Sequence, residues 1–285
     1  MTAGAIHRDA HAKLNVFLRV LRRRADGYHE IESLVLPISL SDRVTVSTAD
    51  SLYVEVTGAD RLAGEVPAGG LNLALVAALA IADVCECAGG ARIRIYKRIP
   101  VAAGLGGGST DAAAVISALN ELWGCALDGA ALADIGKRIG SDVPAMLAGE
   151  PVVIRGRGER TTPATVARFW WTLVHFDFGV RSPDAYRWWD EDGGRTEPHP
   201  AALLSAAAAG DVEALGPLLF NDLEPSVFAR HPEVGYAKER LLEAGALGAV
   251  MSGSGSSVAA LARNRAHASS LAKAFPGAIV CSGSP

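Results

Sequence analysis

Apolar and polar positions along the chain change period several times, and each change marks an element. KLNVFLRV (13–20) is apolar enough for a buried strand, and ADGYHEIES turns into a second apolar run, LVLPISL. Val44 and Val46, then Leu52, Val54 and Val56, alternate with polar residues as half-buried strands do. Residues 71–84, LNLALVAALAIADV, read as an apolar helix, and Ile93, Ile95 and Ile99 as a strand that Pro100 ends. Ser109–Leu122 is an alanine-rich helix with Ser109 as its expected N-cap, and 128–140 is a helix capped by Asp128.

A second block begins near residue 155. It holds a strand at 171–176, helical segments over 201–219 and up to Gly245, strands GAVMS and VAALA around SGSGSS, a helix at 266–274 and a last strand, AIVC. Residues 190–200 read as an exposed loop. The predicted fold is α+β, in two domains, 1–155 and 156–285.

Composition changes this picture little. The chain has 285 residues, 49% hydrophobic and 20% charged, as expected for a globular protein with a sizeable core. No run reaches the roughly 18 apolar residues of a membrane span, and the N-terminus has no signal-type apolar run, so a cytoplasmic protein without a membrane partner is expected. The net charge of −4 argues against a broad nucleic-acid surface. Arg22-Arg23-Arg24, the densest basic run, reads as a solvated strand end or turn. Cys85, Cys87, Cys125 and Cys281 include no CxxC pair, and free thiols are expected.

The strongest chemical signal is PVAAGLGGGSTDAAAV (100–115). A strand leads in and a helix leads out. Gly104, Gly106, Gly107 and Gly108 allow backbone close to an anion, and the helix start offers unpaired N–H groups. Ser109 and Thr110 add hydroxyls for phosphate or Mg²⁺. GxxxxGK[ST] is absent, so this is no Walker-type loop. The GxGxxG register also fails, because its third glycine would fall on Ser109.

The loop resembles the phosphate motif of the galactokinase, homoserine kinase, mevalonate kinase and phosphomevalonate kinase superfamily. AKLNVFLRV, RADGYHEIES, GLGGGSTDAAA, IGSDVP, NDLEP and MSGSGSSV, in that order, resemble one family within it, the 4-diphosphocytidyl-2-C-methyl-D-erythritol kinases. The resemblance implies ATP and Mg²⁺ as cofactors, a ferredoxin-like second domain, and a small-molecule substrate, a cytidine-diphosphate methylerythritol phosphorylated on its 2-hydroxyl.

It further implies Lys13 and Asp142 as the catalytic pair. On their own the two also read as a strand-edge lysine and a helix-ending turn. Pro100, Gly104, Leu105, Gly106, Gly107, Gly108, Ser109 and Thr110 would hold the phosphates, with Ser109 on the metal. Asn72, otherwise a helix N-cap, would lie near adenosine. Lys97, otherwise a solvent-facing strand lysine, would line the adenine pocket. Asn15, Gly253 and Ser254 would line the substrate side. Tyr28 and His29 would meet the cytosine, with Tyr186 (or Trp188 or Trp189) as the second aromatic. NDLEP and GRGE (156–159) read as structural. The competing functions are a mevalonate- or homoserine-type kinase, disfavoured by DGYHE, and a non-catalytic nucleotide sensor, disfavoured by retention of both Lys13 and Asp142.

Overall fold

A computed structural model describes residues 4–58, 72–86, 88–197 and 199–283. Cys87, Leu71 at the start of the predicted helix, and Pro198 in the predicted loop lie outside the described residues.

Two long strands, β1 (Ile6–Arg23) and β2 (His29–Thr48), open the chain and are followed by β3 (Tyr53–Gly58). The separate strands predicted on either side of Ser41 are thus one strand, running through Pro37. Two compact units form, and both take residues from β1 and β2. The first comprises 1–12, 40–101 and 106–149, and the second 13–39, 102–105 and 150–285. This division is interleaved along the chain, where the sequence suggests a single cut after residue 155.

In the first unit, residues 43–48 of β2 pair antiparallel with β4 (Ala91–Lys97), and β3 lies parallel to β4 on its other edge. The helices are α1 (Leu73–Ala82), α2 (Gly107–Leu122), α3 (Gly129–Ile139) and α4 (Val143–Ala148). Ala74, Ala77, Ala78 and Ile81 of α1 and Ala112, Val115, Ile116 and Leu119 of α2 join Val44, Val46, Ile93 and Ile95 in one core. Alanine on the facing sides of α1 and α2 allows close helix packing. Asp128 caps α3 as predicted, accepting from Ala131 N at 2.9 Å.

The expected free thiols are corrected at two positions, because Cys85 and Cys125 form a disulfide. Cys85 follows α1 and Cys125 follows α2, and the packing of these helices brings residues 40 apart in sequence to a Cα–Cα distance of 5.5 Å. Spacing along the chain carries no sign of that pairing. Cys281 remains a buried thiol, its pKa pushed up to about 12 by burial.

In the second unit, residues 31–35 of β2 pair with β5 (Val152–Gly156), which continues through a hairpin into β6 (Arg160–Pro163). Phe17 and Leu18 of β1 pair parallel with β8 (Phe220–Asn221). A separate antiparallel sheet contains β7 (Trp170–Val174), β9 (Gly248–Met251), β10 (Val258–Ala262) and β11 (Ile279–Ser282), in the order β11-β7-β10-β9. Taken in chain order this is 4-1-3-2, and with α9 (Pro232–Glu243) before β9 and α10 (Arg265–Ala272) before β11 it makes the βαββαβ ferredoxin-like arrangement. The predicted stretch 201–219 resolves into α6 (Ala201–Ala209), α7 (Val212–Leu215) and a 3-10 turn. Two helices of this unit were not predicted, α5 (Ser182–Glu191) and α8 (Glu224–Arg230), and neither was α4 in the first unit.

Candidate active site

In the first unit the site begins at the mouth of α2. Gly106 is left-handed, at φ 70°, and the helix starts at Gly107. The predicted N-cap, Ser109, is therefore corrected. It lies inside the first turn, because a glycine at 106 lets the chain enter the helix earlier than a side-chain cap at 109 would. The amides of Gly107, Gly108 and Ser109 precede the first intrahelical bond, Thr110 N to Gly106 O at 2.9 Å. A Cβ on Gly107 would lie 3.2 Å from Ile99 Cγ2 and 3.4 Å from Lys97 Nζ, so a larger residue fits there only if these side chains give by a few tenths of an ångström.

Lys97 is buried rather than solvent-facing. Its Nζ donates to Asp42 and, at 2.8 Å, to Asp111 Oδ2. Burial works against the Lys97 charge, but Asp111 and Asp42 outweigh it and its pKa is raised. Asp42 also accepts from the amides of Arg98 and Ile99, which pins the strand end before Pro100. Asp111 Oδ1 is buried without a partner among the described residues. Its pKa is pushed up to about 7, by burial first and then by Asp42, with Lys97 opposing. Asn72 caps α1, accepting from Ala74 N at 2.9 Å. Asp142, half-buried, directly precedes α4 and makes no side-chain cap bond.

The second unit gathers Lys13, Asn15, Gly104, Leu105, Gly253 and Ser254. Lys13 N donates to Leu105 O at 2.9 Å, and its buried Nζ donates to Gly104 O at 2.6 Å and to Asn15 Oδ1. Asn15 Nδ2 donates to Ser33 Oγ at 2.7 Å. Ser252 Oγ donates to the same Gly104 carbonyl at 2.9 Å. A Cβ on Gly253 would come within 2.9 Å of Lys13 Nζ, and the residue's φ of 58° is left-handed, a conformation that favours glycine. Ser254 Oγ donates to Val180 O at 3.1 Å.

NDLEP and GRGE are structural, as read from the sequence. Asn221 Nδ2 donates to the carbonyls of Met251 and Gly253, each at 2.7 Å, and Glu224 accepts from Met251 N at 2.8 Å and from Lys238 at 2.6 Å. These bonds set the loop that lies against Lys13. In GRGE, Glu159 accepts from Arg157 N at 2.7 Å and closes the β5–β6 turn.

The aromatic group of this unit forms around His29. Its ring stacks on Tyr186 at 4.9 Å and meets Trp189 edge-on at 5.8 Å, and Nε2 lies 2.9 Å from Asp190 Oδ1. Trp188 instead packs against His231 and Arg230. Tyr28 is half exposed, with the Arg157 guanidinium 5.0 Å from its ring centroid. Sequence reading missed Asp190 and Arg157. Ser182-Pro183-Asp184, a helix-start signature, could have revealed α5, and with it that Tyr186, Trp189 and Asp190 share a face at i, i+3 and i+4. The arginine run behaves as a strand end: Arg23 lies 3.7 Å from Asp190, and Arg24 pairs with Asp26 and Glu30.

Models of two domain families match the chain: the GHMP kinases N-terminal domain over residues 72–150 and the GHMP kinases C-terminal domain over 203–279. A 4-diphosphocytidyl-2-C-methyl-D-erythritol kinase of Symbiobacterium thermophilum is 45% identical over 263 residues, covering 90% of this chain and 90% of the relative. The chain belongs to the 4-diphosphocytidyl-2-C-methyl-D-erythritol kinase family. Another family member, from Gloeobacter violaceus, is 38% identical over 274 residues, covering 94% of this chain and 89% of its own. A crystal structure of a 4-(cytidine 5'-diphospho)-2C-methyl-D-erythritol kinase superposes with a TM-score of 0.82 at 36% identity, over 98% of this chain and all 100% of that one. A homoserine kinase of Cytophaga hutchinsonii, at 21% identity and TM-score 0.74 over 99% of this chain and 95% of its own, shares the fold. The α+β GHMP kinase fold and the family read from the motifs are both borne out.

Proposed function

We propose that this chain transfers the γ-phosphoryl group of ATP to the 2-hydroxyl of 4-diphosphocytidyl-2-C-methyl-D-erythritol, giving the 2-phosphate and ADP. One observation carries the proposal: the Lys13 ammonium is buried where three motifs of this family converge, held by Gly104 O and Asn15 with Gly253 against it. A buried cation held on carbonyl and amide oxygens stabilises anionic neighbours.

On this reading Asp142 takes the hydroxyl proton as the oxygen attacks the γ-phosphorus, and the bond to the bridging oxygen of ADP breaks. Lys13 offsets the developing charge. Phosphoryl transfer depends mostly on such positioning and charge stabilisation. Nucleotide binding is assigned to residues 1–155, through Asn72, Lys97, Pro100, Gly104, Leu105, Gly106, Gly107, Gly108, Ser109 and Thr110. Asn15, Tyr28, His29, Tyr186, Gly253 and Ser254 receive the substrate.

Among the described residues, no group of three or more His, Cys, Asp or Glu forms a metal cage. A nucleotide-borne Mg²⁺ fits the residues present, since it keeps much of its water and needs few protein ligands. The Ser109 hydroxyl in the first turn of α2 is the group assigned to it, and the ion would offset phosphate charge. No helix among the described residues is long and apolar enough to cross a membrane, and a cytoplasmic setting belongs to the same proposal.

ADP release, followed with ATP, Mg²⁺ and the cytidine-diphosphate substrate, tests it. Lys13→Ala and Asp142→Asn should each lower kcat by about 10²–10⁴-fold. Near-normal kcat in Asp142→Asn ends the base role, and turnover only with an alcohol lacking cytidine ends the substrate assignment.

A further inference from the structure

Helix α5 holds the His29 imidazole with three side chains from one face: Tyr186 stacks on the ring, Trp189 meets it edge-on, and Asp190 Oδ1 lies 2.9 Å from Nε2. The other Asp190 oxygen faces Arg23 Nη1 at 3.7 Å, which balances the carboxylate's charge. An ionised carboxylate can only accept. Nε2 therefore carries the hydrogen, and in the neutral ring Nδ1 carries the lone pair. Moving the proton to Nδ1 would lose this bond and turn a lone pair toward Asp190, a costly arrangement for a ring that is 8% exposed.

We propose that Asp190 is a specificity-determining positioning residue that fixes His29 as a hydrogen-bond acceptor at Nδ1 and so selects cytosine over uracil. The inference rests on the substrate reading above, which puts His29 at the base. The two pyrimidines differ at C4, where cytosine bears an amine and uracil a carbonyl oxygen. An acceptor at Nδ1 bonds the amine and repels the carbonyl. Sites built to bond a particular donor discriminate strongly against an analogue that lacks it.

The test compares kcat/KM for the cytidine-diphosphate substrate and its uridine counterpart in the wild type, Asp190→Ala and Asp190→Asn. The wild type should prefer cytidine. Asp190→Ala should lower that preference about 10–100-fold, mainly through KM for the cytidine compound, with kcat little changed. Asp190→Asn should fall between, because an amide can accept from or donate to the ring, and it carries the test if the alanine variant does not fold. A preference unchanged in both variants overturns the proposal.

A second measurement needs no substrate. In protein labelled with ¹⁵N-histidine, with the His29 signals assigned through their loss in His29→Gln, Nε2 should be protonated and Nδ1 bare. Asp190→Ala should mix the tautomers. A wild-type ring protonated at Nδ1 overturns the proposal whatever the turnover. Absence of turnover with either pyrimidine, beside the expected tautomer, would instead overturn the substrate reading.

Discussion

Asp111 shows how a single side chain under the α2 mouth makes the first unit sensitive to pH. Lys97 lies between two buried carboxylates, so full ionisation would leave one net negative charge in the core. Burial, reinforced by Asp42 and opposed by Lys97, places the Asp111 pKa at about 7, whereas an unfolded aspartate titrates near 4. Between those values the native protein holds a proton that the unfolded chain releases. Stability linked to this group is therefore fully present below about pH 4, falls as pH rises toward about 7, and levels off beyond. Asp111→Asn removes the titration. Its stability relative to the wild type should rise from pH 4 to pH 8 in a series of thermal melts, and a flat difference would contradict the assignment. From sequence alone Lys97 has two readings, a solvent-facing strand lysine or part of the adenine pocket. Its partners are 55 and 14 residues away, and nothing in local spacing announces them.

Among the elements, α1 and α2 carry several of the residues proposed above to bind the nucleotide. Asn72 caps one, the glycine-rich segment opens the other, and the Cys85–Cys125 disulfide ties the chain just beyond their C-terminal ends. A cross-link spanning 40 residues restricts the unfolded chain by about 2–4 kcal/mol. Cys125→Ser should lower stability by about that much, read as a lower urea midpoint under oxidising conditions. Adding reductant should bring the wild type down to the variant, and equal midpoints before reduction would count against the bond.

Element type followed periodicity where an element was long and amphipathic or capped, as in α3 and the alternating strands β3 and β4. It failed where another constraint ruled. LVLPISL and the Val44–Val46 alternation read as separate strands, but β2 runs through both, Pro37 included. Pairing with β5 stops at Val35 and pairing with β4 begins at Arg43, so Pro37 lies in the gap between these two ladders. In α5 the helical period is present, but the helix begins on Ser-Pro-Asp, which is also a turn signal.

Across the whole molecule, segments far apart in sequence meet backbone to backbone within the second unit. Gly104, at φ 77°, lies so close to β9's following loop that a Cβ would stand 2.1 Å from Ser252 O. The conformation and the space both exclude a side chain. Gly104→Ala should destabilise the protein by at least about 2 kcal/mol, the sum of left-handed strain and overpacking. The expected readout is a lower urea midpoint with an unchanged slope, and a midpoint like that of the wild type would show that the two loops do not touch. The two-part organisation was legible in the sequence, but its interleaving was not, because β1 and β2 each read as local strands and nothing local says that one strand serves two units.

By itself the sequence determined the α+β class, the glycine-rich helix entrance and the family, because these rest on local conformational freedom and on motifs written contiguously. Only the tertiary structure decided that Lys97 is a buried ion partner, that Cys85 finds Cys125, that Asn221 and Glu224 brace the loop against Lys13, and that Asp190 holds His29. Each of those depends on two groups brought within bonding distance by packing, and packing distance is not a property of spacing along the chain.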